Sequence, residues 1–128
     1  MKVRHIGLVC SSEDNADRFF GEALGLKKSE TRPLPRALAQ AAFEVDFESK
    51  LLNYLSEAVH FEVIIDPRHE PKSKPIEHVS LEVDDLPAFL ERCRRAGAAV
   101  RRVPRGEDYL TFVLDADHNL YEIKEKKT

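Results

Sequence analysis

The chain contains several short stretches in which apolar and polar residues alternate, as they do in a half-buried β-strand. HVSLEV, residues 78–83, has an apolar residue at every second position, and its polar set begins with a histidine. HIGLVC, residues 5–10, also begins with a histidine and continues with mostly apolar residues. Because successive side chains of a strand point to opposite faces, each stretch is predicted to be a strand whose histidine lies opposite its apolar residues.

A helical pattern follows each of these strands after a short polar turn. Apolar residues recur there with the spacing of one helix face. The two stripes are Ala16, Phe19, Phe20, Ala23 and Leu24 in the first helix, and Leu86, Phe89, Leu90, Cys93 and Ala96 in the second. Ser12 or an adjacent acidic residue is predicted to cap the first helix, and Asp84 or Asp85 the second. Gly25 and Gly97 suit the positions where the helices end.

Three probable strands follow each helix. They are AAFEVDF (41–47), KLLNYL (50–55) and VHFEVII (59–65) in the first half, and AAVRRV (98–103), YLTFVL (109–114) and LYEIKE (120–125) in the second. RPLPRALAQ, residues 32–40, remains ambiguous because its prolines would interrupt a ladder of backbone hydrogen bonds.

The chain is therefore predicted to be a single domain, residues 1–128, made of two similar modules. Module one covers residues 1–66, a polar linker with three prolines covers 67–75, and module two covers 76–128. His69 in the linker is expected to be solvated. Either module alone would leave one face of its sheet bare, so the modules should pack together or exchange between two chains.

Four polar residues occupy equivalent positions in the two modules. His5 and His78 each open a first strand, and Glu62 and Glu122 each lie in a last strand. The apolar neighbours of each glutamate should pack under a helix, which leaves the carboxylate on the opposite face. Two imidazoles and two carboxylates, without thiolates, suit one Zn²⁺, Ni²⁺, Co²⁺, Mn²⁺ or Fe²⁺ ion. An ion that takes six ligands would keep two positions for water or substrate.

Composition narrows the class of protein without identifying its function. A hydrophobic content of 42% with 34% charged residues is typical of a globular protein, and the net charge of −3 gives no basic stripe for nucleic acid. No apolar run approaches the roughly 20 residues of a membrane helix, and the first residues lack a signal-peptide pattern, so a cytoplasmic location is expected. Cys10 and Cys93 are expected to be reduced and packed.

At these residues the sequence resembles the vicinal oxygen chelate superfamily, which includes glyoxalase I, methylmalonyl-CoA epimerase, fosfomycin and bleomycin resistance proteins, and extradiol dioxygenases. Three stretches carry the resemblance: HIGLVCSSEDNADRFFGEALGLKK (5–28), EHVSLEVDDLPAFLERCRRAGAAV (77–100) and FVLDADHNLYEIKE (112–125). The resemblance implies an α+β fold in which two βαβββ modules form a curved mixed sheet around a central pocket, with the helices outside. His118 replaces the turn glycine of the family pattern, and is predicted to be a turn residue that tolerates a positive φ, not a ligand.

The resemblance also implies a site and a reaction. The metal-ligand positions of the family fall on His5, Glu62, His78 and Glu122. Glu122 and Glu62 are the candidate catalytic carboxylates, because a carboxylate beside the bound ion can move a proton. The implied function is a metal-dependent lyase or isomerase of the glyoxalase type, acting on a small oxygen-chelating substrate through an enediolate or enolate held by the ion. A homodimer is expected, with the site formed by one chain or by two.

Two other functions stay open at this point. A ferrous extradiol-type dioxygenase would use His5, His78 and Glu122 and would not need Glu62. A ligand-sequestering protein of the resistance type would need no metal, although the intact set of four donors argues against it. His60 lies two residues before Glu62, hence on the same strand face, and could line the pocket or reach the ion.

Overall fold

The computed structural model describes residues 1–127 and divides them into two sheets that follow the two halves of the sequence. In chain order the elements are β1 (Ile6–Cys10), α1 (Glu13–Ala16), α2 (Asp17–Ala23), β2 (Lys27–Lys28), β3 (Arg32–Leu34), α3 (Arg36–Phe43), β4 (Ser49–Leu55), β5 (His60–Ile65), β6 (His78–Val83), α4 (Leu86–Arg95), β7 (Ala99–Arg105), β8 (Asp108–Leu114) and β9 (Leu120–Glu125). The α2 segment continues α1 without a break and is wound as a wider π-helix.

The two sheets have the same internal order. The first runs β1–β5–β4–β2, with β3 also paired to β4, and the second runs β6–β9–β8–β7. In each module the first and last strands pair in parallel, and the remaining ladders are antiparallel. The parallel ladders have matching registers, with Gly7 opposite Glu62 and Ser80 opposite Glu122. The predicted α+β fold of two βαβββ modules is confirmed.

The strand predicted at residues 41–47 is wrong. Ala41 and Ala42 belong instead to α3, which ends at Phe43, and residues 44–48 form no strand. RALAQAAF contains four alanines, and alanine has the highest helix propensity, which outweighs the short alternation that follows. The ambiguous prolines take positions that suit them: Pro33 lies in the edge strand β3, and Pro35 precedes the first turn of α3.

The predicted helix boundaries are confirmed by the capping contacts. The side chains of Ser12 and Asp85 each accept a hydrogen bond from the backbone amide three residues further on. Gly25 and Gly97 have φ angles of 72° and 84°, which glycine adopts without steric cost. Most of the two apolar stripes is buried: Ala16, Phe19, Phe20, Ala23, Phe89, Leu90, Cys93 and Ala96.

α1, α2 and α4 share one core with the inner faces of both sheets, in which aromatic rings connect the modules. The ring of Tyr121 in β9 lies 6.2 Å from that of Phe61 in β5 and 4.7 Å from that of Phe19 in α2. Phe20 lies 5.2 Å from Phe61, and all four residues are at most 4% exposed. Since each sheet turns its apolar face toward this common core, its polar face is turned away from it.

Hydrogen bonds connect the loop between β8 and β9, in module two, to the end of β1 in module one. The carboxylate of Asp117 accepts a hydrogen bond from the backbone amide of Ser11 at 3.0 Å. The side-chain amide of Asn119 donates to the carbonyl of Val9 at 3.1 Å and to the carboxylate of Asp115 at 2.9 Å. All three polar loop residues are at most 4% exposed, so these hydrogen bonds are largely shielded from water.

His118 is the turn residue of this loop, as predicted, with a φ of 60°. Its Nδ1 lies 2.9 Å from the carbonyl of Lys72 and must donate to it, because a carbonyl can only accept. This hydrogen bond holds part of the linker against the loop. The prediction that His69 is solvated is wrong: its Nε2 is buried and has no hydrogen-bond partner among residues 1–127. Within the same residues, no helix has the length and apolar content needed to cross a membrane.

We predict that Asn119→Ala lowers the free energy of unfolding by about 1–3 kcal/mol, because it removes two side-chain hydrogen bonds, one to the half-buried Val9 carbonyl and one to the buried Asp115 carboxylate. Urea unfolding monitored by circular dichroism measures the change. Ala116→Ser, at an exposed position of the same loop, is the control and should change stability by less than about 0.5 kcal/mol. Equal stability of the two variants would contradict a role of Asn119 in joining the modules.

Candidate metal centre

His5 and Glu62 come together on the polar face of the first sheet, and we refer to this pair as the first half-site. His5 lies immediately before β1, and its Nε2 is 3.7 Å from Oε1 of Glu62. The side chains are 43% and 24% exposed, respectively. Gly7 is paired with Glu62 across the ladder, and a Cβ placed at this glycine would meet nothing within 4 Å. The space in front of the Glu62 carboxylate is therefore open.

His60 and Asn53 extend the polar surface of the first half-site. The ring of His60 lies 5.7 Å from that of His5, and its Nε2 is 2.7 Å from Oδ1 of Asn53. Asn53 is only 8% exposed, and its Nδ2 donates to the backbone carbonyl of Glu30 at 3.0 Å. Asn53 was not predicted as a site residue. The sequence feature that could have indicated it is a polar side chain in the largely apolar strand KLLNYL, and the structure places it on the same face as Glu62.

His78 and Glu122 form the second half-site on the polar face of the second sheet. Nδ1 of His78 lies 2.8 Å from the carbonyl of Ile76 and must donate to it, so Nε2 of the neutral ring carries the lone pair. Glu122 is 17% exposed at its side chain and lies 3.9 Å from Nζ of Lys124. Its Oε1 also accepts a hydrogen bond of 3.4 Å from Ser80, which faces it across the ladder.

Both glutamates point to the sheet face opposite the core, as predicted. The neighbours of Glu62 and Glu122 along their strands are buried in the core: Phe61, Val63, Tyr121 and Ile123. Both carboxylates therefore emerge on the opposite, polar faces. His5 and Glu62 are in contact, and His78 and Glu122 share one sheet face. Among residues 1–127, no group of three or more His, Cys, Asp or Glu side chains is arranged to hold a metal ion.

The donor chemistry fits a divalent cation once two pairs meet. Each half-site offers one imidazole nitrogen and one carboxylate, which are ligands suited to Zn²⁺ and to Ni²⁺, Co²⁺, Mn²⁺ or Fe²⁺. The hydrogen bond from His78 to a backbone carbonyl is the kind that orients metal-binding histidines and fixes their tautomer. Both carboxylates are partly exposed and have polar neighbours, so they can stay ionised and bind a cation when one is present.

The thiols lie away from both half-sites and are unsuited to nucleophilic chemistry. Cys10 and Cys93 are free and at most 1% exposed. Burial raises the pKa of Cys93 to about 11. Burial, with the nearby carboxylates of Asp115 and Asp117 as smaller causes, raises the pKa of Cys10 further. Since the thiolate is the reactive form, neither cysteine is an activated nucleophile, which agrees with the prediction that both are packed.

Comparison with known proteins places the architecture. The family model of the Glyoxalase/Bleomycin resistance protein/Dioxygenase superfamily matches residues 4–113. A FosX fosfomycin resistance protein from Mesorhizobium loti is 13% identical, with a TM-score of 0.71 over 98% of this chain and 92% of that one. A glyoxalase family protein from Enterococcus faecalis is 17% identical, with a TM-score of 0.73 over 95% of each chain.

A third similar structure is a FosX variant from Listeria monocytogenes in complex with Mn(II) and 1S,2S-dihydroxypropylphosphonic acid. It is 14% identical, with a TM-score of 0.70 over 96% of this chain and 88% of that one. No curated protein sequence matches the chain. At these low identities the structural likeness establishes the fold and leaves the reaction to be argued from the residues.

We predict that iodoacetamide at pH 8 leaves both thiols of the native protein unmodified on a timescale on which the urea-unfolded chain is fully alkylated, since unfolding restores a cysteine pKa of about 8.5. Mass spectrometry counts the adducts. Rapid modification of Cys10 or Cys93 in the native state would contradict their exclusion from the chemistry of the site.

Proposed function

Because the chain belongs to the glyoxalase/bleomycin resistance protein/dioxygenase superfamily, whose model covers residues 4–113, we propose that it is a metal-dependent lyase or isomerase of the glyoxalase type. Its substrate would be a small molecule that chelates a cation through two oxygens. The observation that carries this proposal is the repeat of one imidazole and one carboxylate at matching registers of the two sheets. A fold alone would not require polar donors at both places.

His5, Glu62, His78 and Glu122 would hold one divalent cation. The bound cation would supply Lewis-acid polarisation of a chelating carbonyl or hydroxyl oxygen. The four protein donors leave two positions of a six-coordinate ion for the substrate oxygens, which is the arrangement of a catalytic and not of a closed structural site.

The two carboxylates differ in how firmly they are held, which favours different roles. Glu122 is restrained by the hydroxyl of Ser80 and by the charge of Lys124. Within residues 1–127, the ionisable contact of Glu62 is with His5, and Glu62 is the more exposed of the two glutamates, at 24% against 17%. We therefore assign proton transfer at the substrate to Oε1 or Oε2 of Glu62, and a mainly structural role in the site to Glu122.

The half-sites of one chain belong to faces that turn away from the shared core, so a complete site would combine the first half-site of one chain with the second half-site of another. β1 and β6 are edge strands of their sheets in the described chain, and residues of both line one cavity at Gly7 and His78. A two-fold homodimer would form two equivalent sites from two chains. The small-molecule substrate would then bind between the polar faces of two protomers.

We predict that Zn²⁺ at about 100 times its Kd raises the melting temperature of the native protein by roughly 5–15 °C, since it binds only the folded state. His78→Ala should abolish the shift. Glu82→Gln, two residues beyond Ser80 on the same strand face, is the matched control and should retain it. Absence of any bound metal after purification, with no stabilisation by Zn²⁺, Ni²⁺, Co²⁺, Mn²⁺ or Fe²⁺, would instead support the ligand-sequestering alternative.

We predict that mixing two inactive variants restores metal binding. His5→Ala and Glu122→Ala homodimers should each lose the ion, whereas a heterodimer purified with two different affinity tags should bind about one ion. A site shared between chains gives this result because one site of the heterodimer carries both substitutions and the other carries neither. Elemental analysis of the heterodimer makes the measurement, and no binding by the heterodimer would show that each site belongs to one chain.

Glu62→Ala separates the glyoxalase-type reaction from the dioxygenase alternative. The lyase or isomerase reaction should be lost, because the proposed proton-transfer group is removed. A dioxygenase with Fe²⁺ on His5, His78 and Glu122 should keep its metal and its oxygen consumption. Assays of the native protein against α-ketoaldehyde–thiol adducts, with an oxygen electrode in parallel, distinguish the two reactions.

A second candidate is a metal-dependent reaction on a phosphonate. It is supported by positive charges on the polar face of the second sheet. Arg101 in β7 lies opposite Phe112, which lies opposite Glu122, so the three occupy one row of the polar face together with the nearby Lys124. Two cations beside the metal-binding carboxylate suit an anionic substrate. Consumption of fosfomycin by the Mn²⁺-loaded protein, without turnover of α-ketoaldehyde adducts, would favour this candidate.

A further inference from the structure

The hydrogen bonds around Asn53 determine the proton positions of His60. Nδ2 of Asn53 donates to the carbonyl of Glu30 at 3.0 Å, and because a carbonyl only accepts, the amide must be oriented this way. Oδ1 therefore faces His60, and it too can only accept, so the Nε2 that lies 2.7 Å away carries a hydrogen. In the neutral ring, Nδ1 of His60 is then left with its lone pair.

This lone pair is available on the polar face of the first sheet. Nδ1 of His60 has no hydrogen-bond partner among residues 1–127 and is not one of the buried polar atoms that lack a partner. His60 lies two residues from Glu62 on the same strand face, and its ring centroid is 5.7 Å from that of His5. An acceptor of fixed orientation thus stands beside the first half-site.

The second module shows that the fold does not need a hydrogen-bonded pair here. The registers of the two sheets place Leu120 where the first module has His60, and Phe112 where it has Asn53. Both modules form the same ladders around these positions. The polar pair is therefore an addition to the repeated scaffold. Since the second module folds without such a pair, the buried amide of Asn53 is not needed for folding.

We propose that His60 is a substrate-binding residue of the activity proposed above, on which this inference rests. Its Nδ1 accepts a hydrogen bond from a hydroxyl group whose oxygen is one of the two chelating oxygens, and Asn53 is a positioning residue that keeps the ring in the Nε2–H tautomer. The substrate class is accordingly an α-hydroxy carbonyl compound or a close relative. A role for His60 as a further metal ligand is less favoured, since His5, His60 and Glu62 are not arranged to hold an ion among the described residues.

The tautomer is measured on the metal-free protein, independently of any activity. Two-bond proton–nitrogen correlation spectra of ¹⁵N-histidine-labelled protein should assign the ring hydrogen of neutral His60 to Nε2. Asn53→Leu should convert this signal into that of a mixture of tautomers. A hydrogen on Nδ1 in the native protein, or an unchanged spectrum in Asn53→Leu, would overturn the assignment.

The hydrogen bond is tested with two probes that chelate alike and differ in one donor. Lactate and 2-methoxypropanoate both offer a carboxylate and an α-oxygen, but only lactate has a hydroxyl hydrogen. The Zn²⁺-loaded native protein should prefer lactate about 3- to 10-fold, the range of one hydrogen bond. His60→Leu, which copies the residue of the second module, should keep Zn²⁺ and lose the preference. Ile64→Val, on the same strand and face beyond Glu62, should retain the preference.

Failure of this inference and failure of the proposed function give different results. Zn²⁺ binding with equal affinities for the two probes, or a preference that persists in His60→Leu, overturns the role of His60 and leaves the metal site intact. Failure of the native protein to bind Zn²⁺ overturns the proposed function, and with it the proposed substrate contact of His60. Asn53→Leu adds a graded result: bound Zn²⁺ with a reduced preference supports the positioning role, and a full preference contradicts it.

Discussion

The packing of Phe61 and Tyr121 into one core determines where every proposed site residue lies. Phe61 is fully buried beside Glu62, and Tyr121 is fully buried beside Glu122. Since alternate residues of a strand point to opposite faces, burying the aromatic ring forces the adjacent carboxylate onto the polar face. A shift of one residue in either strand would bury a carboxylate and expose a ring, at a cost of several kcal/mol in lost apolar burial and unpaired charge. The hydrophobic core thereby fixes the register of the candidate metal site.

The same packing explains why one chain presents two half-sites. Both sheets turn their apolar faces to the shared core, and the loop that carries Asp117 and Asn119 holds the modules in this arrangement. The donors consequently lie on the sheet faces opposite the core, and within residues 1–127 no three of them form one metal-binding group. Two carboxylates, each with one imidazole, are then stable without metal because each remains in contact with water. A cation becomes favourable when a second chain brings the complementary pair and excludes that water.

Local sequence patterns predicted the parts of the structure that depend on local physics. LYEIKE coincides with β9, and the alternation in HVSLEV coincides with β6. The pattern AAFEVDF failed because the helix propensity of its alanines prevailed over a short alternation, in a segment with few constraints from the core. The pairing of His5 with Glu62 followed from the repeat, whereas the contact between Asn53 and His60 did not. That contact depends on the register of β4 against β5, which the single sequence does not encode in a readable way. The division into half-sites depends on how the modules pack, which is equally non-local.

The differences between the modules matter as much as their repeat. Where the first module has His60 and Asn53, the second has Leu120 and Phe112, and the ring of Phe112 lies edge-on to His78 with centroids 6.2 Å apart. If the first half-site of one chain faces the second half-site of another, the resulting hollow has one polar wall and one largely apolar wall. A substrate bound by its oxygens to the cation could then lie in one orientation only, with its hydroxyl toward His60 and its carbon chain toward Phe112. A symmetric duplication would hold a cation equally well, but it could not tell the two ends of a substrate apart. The asymmetry between His60 and Leu120 is therefore the feature that would turn a metal site into a selective one.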